Sequence, residues 1–353
     1  MKRRLFLQSG SATAVAAALT ACGGGGGGAA TSSGDVSSAP LATGVQTTPA
    51  APAPAPVPET TTATAAAAPA AAEAASGLTA MPSKVLGCYY TAWDTGTYKI
   101  TDVPTDFNVI YLFHCKPNGS AVNGSWNNVG DGSFMFEFGN DVTRDQVQAC
   151  RARGQKVLLT VGGAGAGYAW DNRDKSTNFV NSFKALADGF GGVDGIDFNN
   201  YEAGIVTSDN FAAVSAEMVW ISQQLKAAYG DNFAVTSPPQ PNDTLQQALM
   251  AALKNAGVLT YCAPQFYDWS GFNAVGYISN ATNSWATLLG ETSVCVGFSA
   301  NYANGPSLSD CTREWATIKA AHPNIRGMFC WSAQTNLSGG NTWGSTMKAA
   351  LAA

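Results

Sequence analysis

From Lys84 onward, short apolar runs alternate with longer stretches whose apolar residues recur every three or four positions. The first pattern predicts strands and the second predicts amphipathic helices. Strands are expected over 84–90, 108–114, 156–162, 193–199, 233–238, 259–266, 293–298 and 326–331. Helices are expected over 143–153, 176–188, 209–229, 243–255, 283–289, 308–321 and 343–352. The longest places Phe211, Val214, Met218, Ile221 and Leu225 on one face. Ser208 and Asp209 are candidate N-caps for it. Gly154, Gly230 and Gly257 stand where helices should stop. Alternation of this kind argues for parallel strands joined by helical crossovers. Eight strands with nearly as many helices fit an α/β chain folded as a (β/α)8 TIM barrel. A doubly wound open sheet is the rival, but no GxGxxG follows the first strand.

The chain ahead of this pattern is different in kind. Lys2-Arg3-Arg4 precedes a short, Ala-rich apolar stretch from Leu5 to Thr20, and Leu19-Thr20-Ala21-Cys22 closes it. Arg3-Arg4-Leu5-Phe6-Leu7 resembles a twin-arginine export signal, and the closing tetrapeptide resembles a lipobox. Residues 1–21 are therefore expected to be a signal peptide and Cys22 to carry the lipid. Gly23, where Asp would retain such a lipoprotein at the inner membrane, points to the outer membrane. Residues 22–80 are Gly, Ala, Pro, Thr and Ser, too poor in large apolar side chains to offset the entropy of ordering. They read as a disordered tether between a lipid anchor and a barrel domain over 81–353, which holds all nine Trp.

Charge and cysteines narrow the classes. The formal charge is −5; without Lys2, Arg3 and Arg4 the 19 cations become 16 against 24 anions, a charge of −8. No basic patch stands out, so nucleic acid is not an expected partner. Seven cysteines follow Cys22, which would permit up to three disulfides in an oxidising compartment. With no CxxC pair and only His114 and His322, no metal site is expected. Gly162–Gly167 lacks the Lys-Ser/Thr of a phosphate loop.

In a barrel, chemistry gathers at the C-terminal ends of the strands. The fourth strand reads Gly192-Val193-Asp194-Gly195-Ile196-Asp197-Phe198-Asn199-Asn200-Tyr201-Glu202. Carboxylates inside an apolar strand must be paired or used. Alternation places Asp197, Asn199 and Tyr201 on one face. Such a row either works on a substrate above it or is a polar network that orders the barrel.

Here the sequence resembles glycoside hydrolase family 18, the chitinase family, whose fourth strand carries Asp-Gly-x-Asp-x-Asp-x-Glu. Asp194 and Asp197 match its first two Asp. Cys88-Tyr89-Tyr90 through Trp93, Thr160-Val161-Gly162-Gly163, Gln265-Phe266-Tyr267-Asp268 and Gly327-Met328-Phe329-Cys330-Trp331-Ser332 resemble the family's first, third, sixth and eighth strands. Asn199 replaces the third Asp, and Tyr201 stands at the Glu position with Glu202 one residue beyond. A β-bulge, common at barrel rims, would bring Glu202 into place.

The resemblance implies a glycosidase acting on a polysaccharide or oligosaccharide that contains N-acetylglucosamine, by a substrate-assisted retaining mechanism. It needs no cofactor, and a monomer is expected. Glu202 would be the acid, with Asp197, Asn199 and Tyr267 orienting the substrate acetamide. Trp331 would floor the sugar site, with Gln265, Asp268, Tyr90, Trp93 and Tyr201 at the substrate. The altered motif also fits a barrel that binds glycan without hydrolysis, like the family's lectins. Trp93, Trp126, Tyr168, Trp170, Trp269 and Trp343 lie at or beyond strand ends, where rings either stack on sugars or close the barrel. His114, near the end of the second strand, reads as structural.

Overall fold

The computed structural model describes residues 77–93, 96–137, 141–199, 205–300 and 305–353, all within one compact unit, Ala66–Ala353. The expected signal peptide, Cys22 and nearly all of the tether lie outside the described residues, as do Tyr201 and Glu202.

Eight parallel strands form the barrel: β1 (Val85–Thr91), β2 (Val109–Pro117), β4 (Lys156–Gly162), β5 (Gly195–Asn199), β6 (Ala234–Ser237), β7 (Tyr261–Cys262), β8 (Cys295–Ser299) and β9 (Gly327–Trp331). Their order is β7-β6-β5-β4-β2-β1-β9-β8. Single bridges from Cys262 to Val294 and from Gln265 to Gly297 close the ring. Each expected strand is present. A short β3 (Phe134–Phe136) adds antiparallel to the end of β2. Its three residues are too few for a periodic signal.

Alternation along the strands feeds two cores. Val85, Tyr89, Tyr111, Leu158, Tyr261 and Phe329 fill the interior. Leu86, Cys88, Tyr90, Ile110, Leu112, Leu159, Ile196 and Phe198 face the helices. Large rings fit inside because glycines face them. A Cβ on Gly87 would lie 2.7 Å from the Tyr111 ring, and one on Gly297 would lie 2.5 Å from the Phe329 ring.

The helices are α1 (Arg144–Ala152), α2 (Arg173–Gly189), α3 (Phe211–Tyr229), α4 (Thr244–Asn255), α5 (Tyr277–Leu289), α6 (Leu308–Ala321), α7 (Ala333–Ser338) and α8 (Thr342–Ala352). Gly230 ends α3 at φ 88°, and Gly154 and Gly257 follow α1 and α4 with positive φ. The cap of α3 is Asn210 rather than Ser208 or Asp209. Its side chain accepts from Thr207 N and donates to Ile205 O, bracing the entering turn instead of the helix.

Helix α5 begins six residues before its expected start at 283. Gly276, at its N-cap, offers no side chain. The buried carboxylate of Glu314 on α6 supplies the cap, accepting from Gly276 N at 2.8 Å and Ser279 N at 3.0 Å. A carboxylate at a helix N-terminus also meets the favourable end of its dipole. All seven cysteines of the barrel are buried free thiols, so the disulfides their number would allow are absent from the described residues. They pack as small apolar groups.

Candidate functional site

Strand β5 carries one carboxylate, and a second just precedes it. Asp194, just before it, is held at the N-terminal end of the barrel. It accepts from Arg151 Nε at 2.9 Å, Val157 N at 3.0 Å and Lys156 Nζ at 3.4 Å. This clamp joins α1, β4 and β5, remote from the strand ends where chemistry gathers.

Asp197 points into the barrel and is almost wholly buried. Tyr89 OH donates to its Oδ2 at 2.7 Å, Thr160 Oγ1 donates to the same oxygen at 3.2 Å, and Thr236 Oγ1 donates to Oδ1 at 2.7 Å. Burial pushes the carboxyl up to about 6, and the three hydroxyl bonds only partly oppose it. No cation reaches it among its described partners. Neutral donors from the two neighbouring strands and from β1 across the barrel thus hold a carboxylate raised to about 6.

Two residues on, Asn199 faces the same way and is also buried. Its Oδ1 has no hydrogen-bond partner among the described residues. Its backbone O accepts from Gly163 N at 2.7 Å, tying it to the turn after β4. Ser299, at the end of β8, has a buried hydroxyl in the same position of having no described partner.

An aromatic cup surrounds these groups. Trp331 ends β9 half-buried, with Phe113 at 5.1 Å, Tyr89 at 5.5 Å, Trp93 at 6.1 Å and Tyr267 at 6.2 Å between ring centroids. The Tyr267 and Trp331 planes differ by only 20°. Beside the cup lies a cleft of about 370 Å³, lined by Thr91, Trp93, Tyr98, Trp331, Gln334 and Thr335 among others. Ring faces beside hydroxyls and an amide suit a sugar, whose rings have apolar faces and polar edges.

The structure therefore brings Asp197, Asn199, Tyr267, Trp331 and Trp93 to one end of the barrel. Gln265 is near but engaged, its Nε2 donating to Pro238 O at 2.8 Å. Asp268 is exposed beyond β7, with φ 67°. Tyr90 is not at the site. It faces the outer core, where its OH donates to Tyr98 O. Its neighbour Tyr89 occupies the interior position.

Among the other rings, Trp93 is 50% and Trp269 53% exposed. Tyr168, Trp170 and Trp343 are buried in the outer core instead. Trp126 lies beneath Lys116, whose Nζ is 4.0 Å from the ring centroid. Sequence reasoning missed Tyr89, Thr236 and Phe113 as parts of the site. The usable signal for Thr236 was a buried acid's need for donors, met by hydroxyl residues in register with Asp197 on the two adjacent strands.

No family model matches the chain. A curated relative, an acidic endochitinase of Cicer arietinum, is 28% identical over 182 residues, which is 46% of this chain. The match spans only about 55% of that relative's length. Solved structures match over more of the chain. A family GH18 chitinase from Chromobacterium violaceum superposes with a TM-score of 0.63 at 19% identity, covering 77% of this chain and 84% of that one. The catalytic domain of a family GH18 chitinase from a fern gives 0.61 at 20% identity, covering 76% and 100%. The described unit thus has the barrel fold of family GH18 chitinases. The resemblance carried by the strand motifs recurs in the architecture.

Proposed function

We propose that this chain is a family 18 glycoside hydrolase that cleaves β-1,4-linked N-acetylglucosamine polymers by a substrate-assisted retaining route. The observation that carries this reading is the Asp197 carboxylate, buried below an aromatic cup and held by hydroxyls alone. At neutral pH it is largely ionised and accepts the N–H of the substrate's 2-acetamido group. Asn199 and Tyr267 steady that group by further hydrogen bonds.

Glu202 donates a proton to the glycosidic oxygen as the acetamide carbonyl oxygen attacks the anomeric carbon. The leaving sugar departs as an alcohol, and a cyclic oxazolinium remains, its positive charge facing Asp197. Water then attacks the same carbon from the leaving-group side and returns a proton to Glu202. The configuration is retained. Asn199 differs from the Asp of the resembled motif because it can hydrogen-bond but takes up no charge.

Release of reducing ends from colloidal chitin, lost in Glu202→Gln, is the expected result. Undiminished turnover by that variant would remove Glu202 from the acid's role. The second reading, a barrel that binds glycan without cleaving it, is favoured by Tyr201 at the motif's Glu position. Chitin binding with no product after days would support it and overturn the hydrolase. We further propose that residues 1–21 are an export signal, that 22–80 tether the barrel of 81–353, and that Cys22 is lipidated in an outer membrane. Incorporation of labelled fatty acid that persists in Cys22→Ser would contradict the anchor.

A further inference from the structure

Outside the groups that would touch substrate, His114 lies at the rim of the cup with each ring nitrogen facing an acceptor. Nδ1 is 2.6 Å from Gly162 O, and Nε2 is 2.8 Å from Glu137 Oε2. Glu137, just past β3, also accepts from Lys116 Nζ at 2.7 Å. The bond to His114, followed by that to Lys116, holds the Glu137 carboxyl down at about 2, so it is ionised at any working pH. Glu137 thus joins His114 to Lys116.

What His114 holds leads directly to Asn199. Gly162 is paired with Asn199 across the β4–β5 ladder, and Gly163 N donates to Asn199 O at 2.7 Å. Gly163 has φ 116°, and a Cβ there would lie 2.5 Å from Phe113 and 3.3 Å from His114 Nδ1. The turn is therefore pressed against His114 with no room for a side chain. The His114 ring also lies parallel to Phe113 at 4.3 Å, and Phe113 is the ring that supports Trp331.

We propose that His114 is a positioning residue for the sugar site: by bridging Glu137 and Gly162 O it fixes the Gly162–Gly163 turn, and through that turn the placement of Asn199. The inference rests on the acetamide-binding reading above, but its test separates the two. His114→Asn places an amide N–H near the Nδ1 position and retains the bond to Gly162 O. His114→Gln reaches toward the Nε2 position, retains Glu137 and releases Gly162.

Both variants are made in the full chain carrying Glu202→Gln, so that a tetramer of N-acetylglucosamine is not consumed. Calorimetric affinity and hydrogen exchange at the Gly163 amide are measured, with circular dichroism and protection in β6 as checks of folding. His114→Gln is expected to lose about tenfold in affinity, the scale of one hydrogen bond, and to exchange faster at Gly163. His114→Asn should stay within about threefold and keep its protection. Equal affinity and protection in both variants would overturn the proposal, and so would the reverse order. Exchange at Gly163 is read without sugar. A parent protein that fails to bind the tetramer therefore overturns the acetamide reading, while the exchange order still decides the positioning claim.

Discussion

Asp194 and Asp197 sit three residues apart, the first just before β5 and the second within it, and experience opposite surroundings. Asp194 is met by Arg151 and Lys156 at the N-terminal end of the barrel. Asp197 is met by Tyr89, Thr160 and Thr236, all neutral. A paired charge is spent on holding elements together, because its partners compensate it. An unpaired one remains available for a cationic species above it, and the fold bears the penalty of its burial. The comparison separates a charge-paired acid from an uncompensated one where composition and spacing do not.

Breaking each carboxylate should therefore give opposite phenotypes. Asp197→Asn is expected to lower kcat/KM on soluble N-acetylglucosamine oligomers by roughly 100-fold or more, the scale of removing one preorganised electrostatic group. The same change should stabilise the protein at pH 7. The Asp197 carboxyl is raised from 3.8 to about 6 by folding. The folded state thus keeps its proton after the unfolded chain has lost it, and wild-type stability falls as pH rises from about 4 to about 6. Asp197→Asn escapes that fall, so its advantage should be on the order of 3 kcal/mol at pH 7 and vanish below about pH 4. Denaturant melts at both pH values check this; a variant less stable at pH 7 would contradict the uncompensated charge.

Asp194→Ala should lose about 3 kcal/mol of stability, because Arg151 and Lys156 are left without their buried partner. Its turnover at 25 °C should be nearly unchanged, as read from denaturant midpoints beside initial rates. A large kinetic defect in a folded Asp194→Ala would erase the distinction between the two ends.

Tyr89→Phe sharpens the comparison with a smaller effect. Losing one hydroxyl from a charged acceptor weakens the ionised form by about 1.5 kcal/mol. The acid limb of kcat/KM should then move upward in pH from its wild-type place near 6. An unmoved limb would assign it to another group.

The same strand shows what the sequence makes legible. All eight barrel strands and most helices were readable because apolar runs and 3.6-residue spacing report burial directly. The inner face of β5 was readable too, since Asp197 and Asn199 mark it. In β1 every residue is buried, so Val85–Thr91 carries no polar alternation to separate the two faces. That is why Tyr90 was expected where Tyr89 stands. The start of α5 was hidden for another reason: its cap is Glu314, 38 residues from Gly276, and no local signal records it. The short β3 and α7 fell below the length at which periodicity is visible. Glu202, the expected acid, lies outside the described residues, so its role rests on the resemblance alone.

The most direct test is a calorimetric titration of the Glu202→Gln protein with an N-acetylglucosamine tetramer between pH 5 and 8, repeated with Asp197→Asn added. The account predicts affinity that rises through about pH 6 as Asp197 ionises, and that becomes weak and independent of pH once Asp197 is replaced. Equal affinity in the two proteins across the whole range would contradict it.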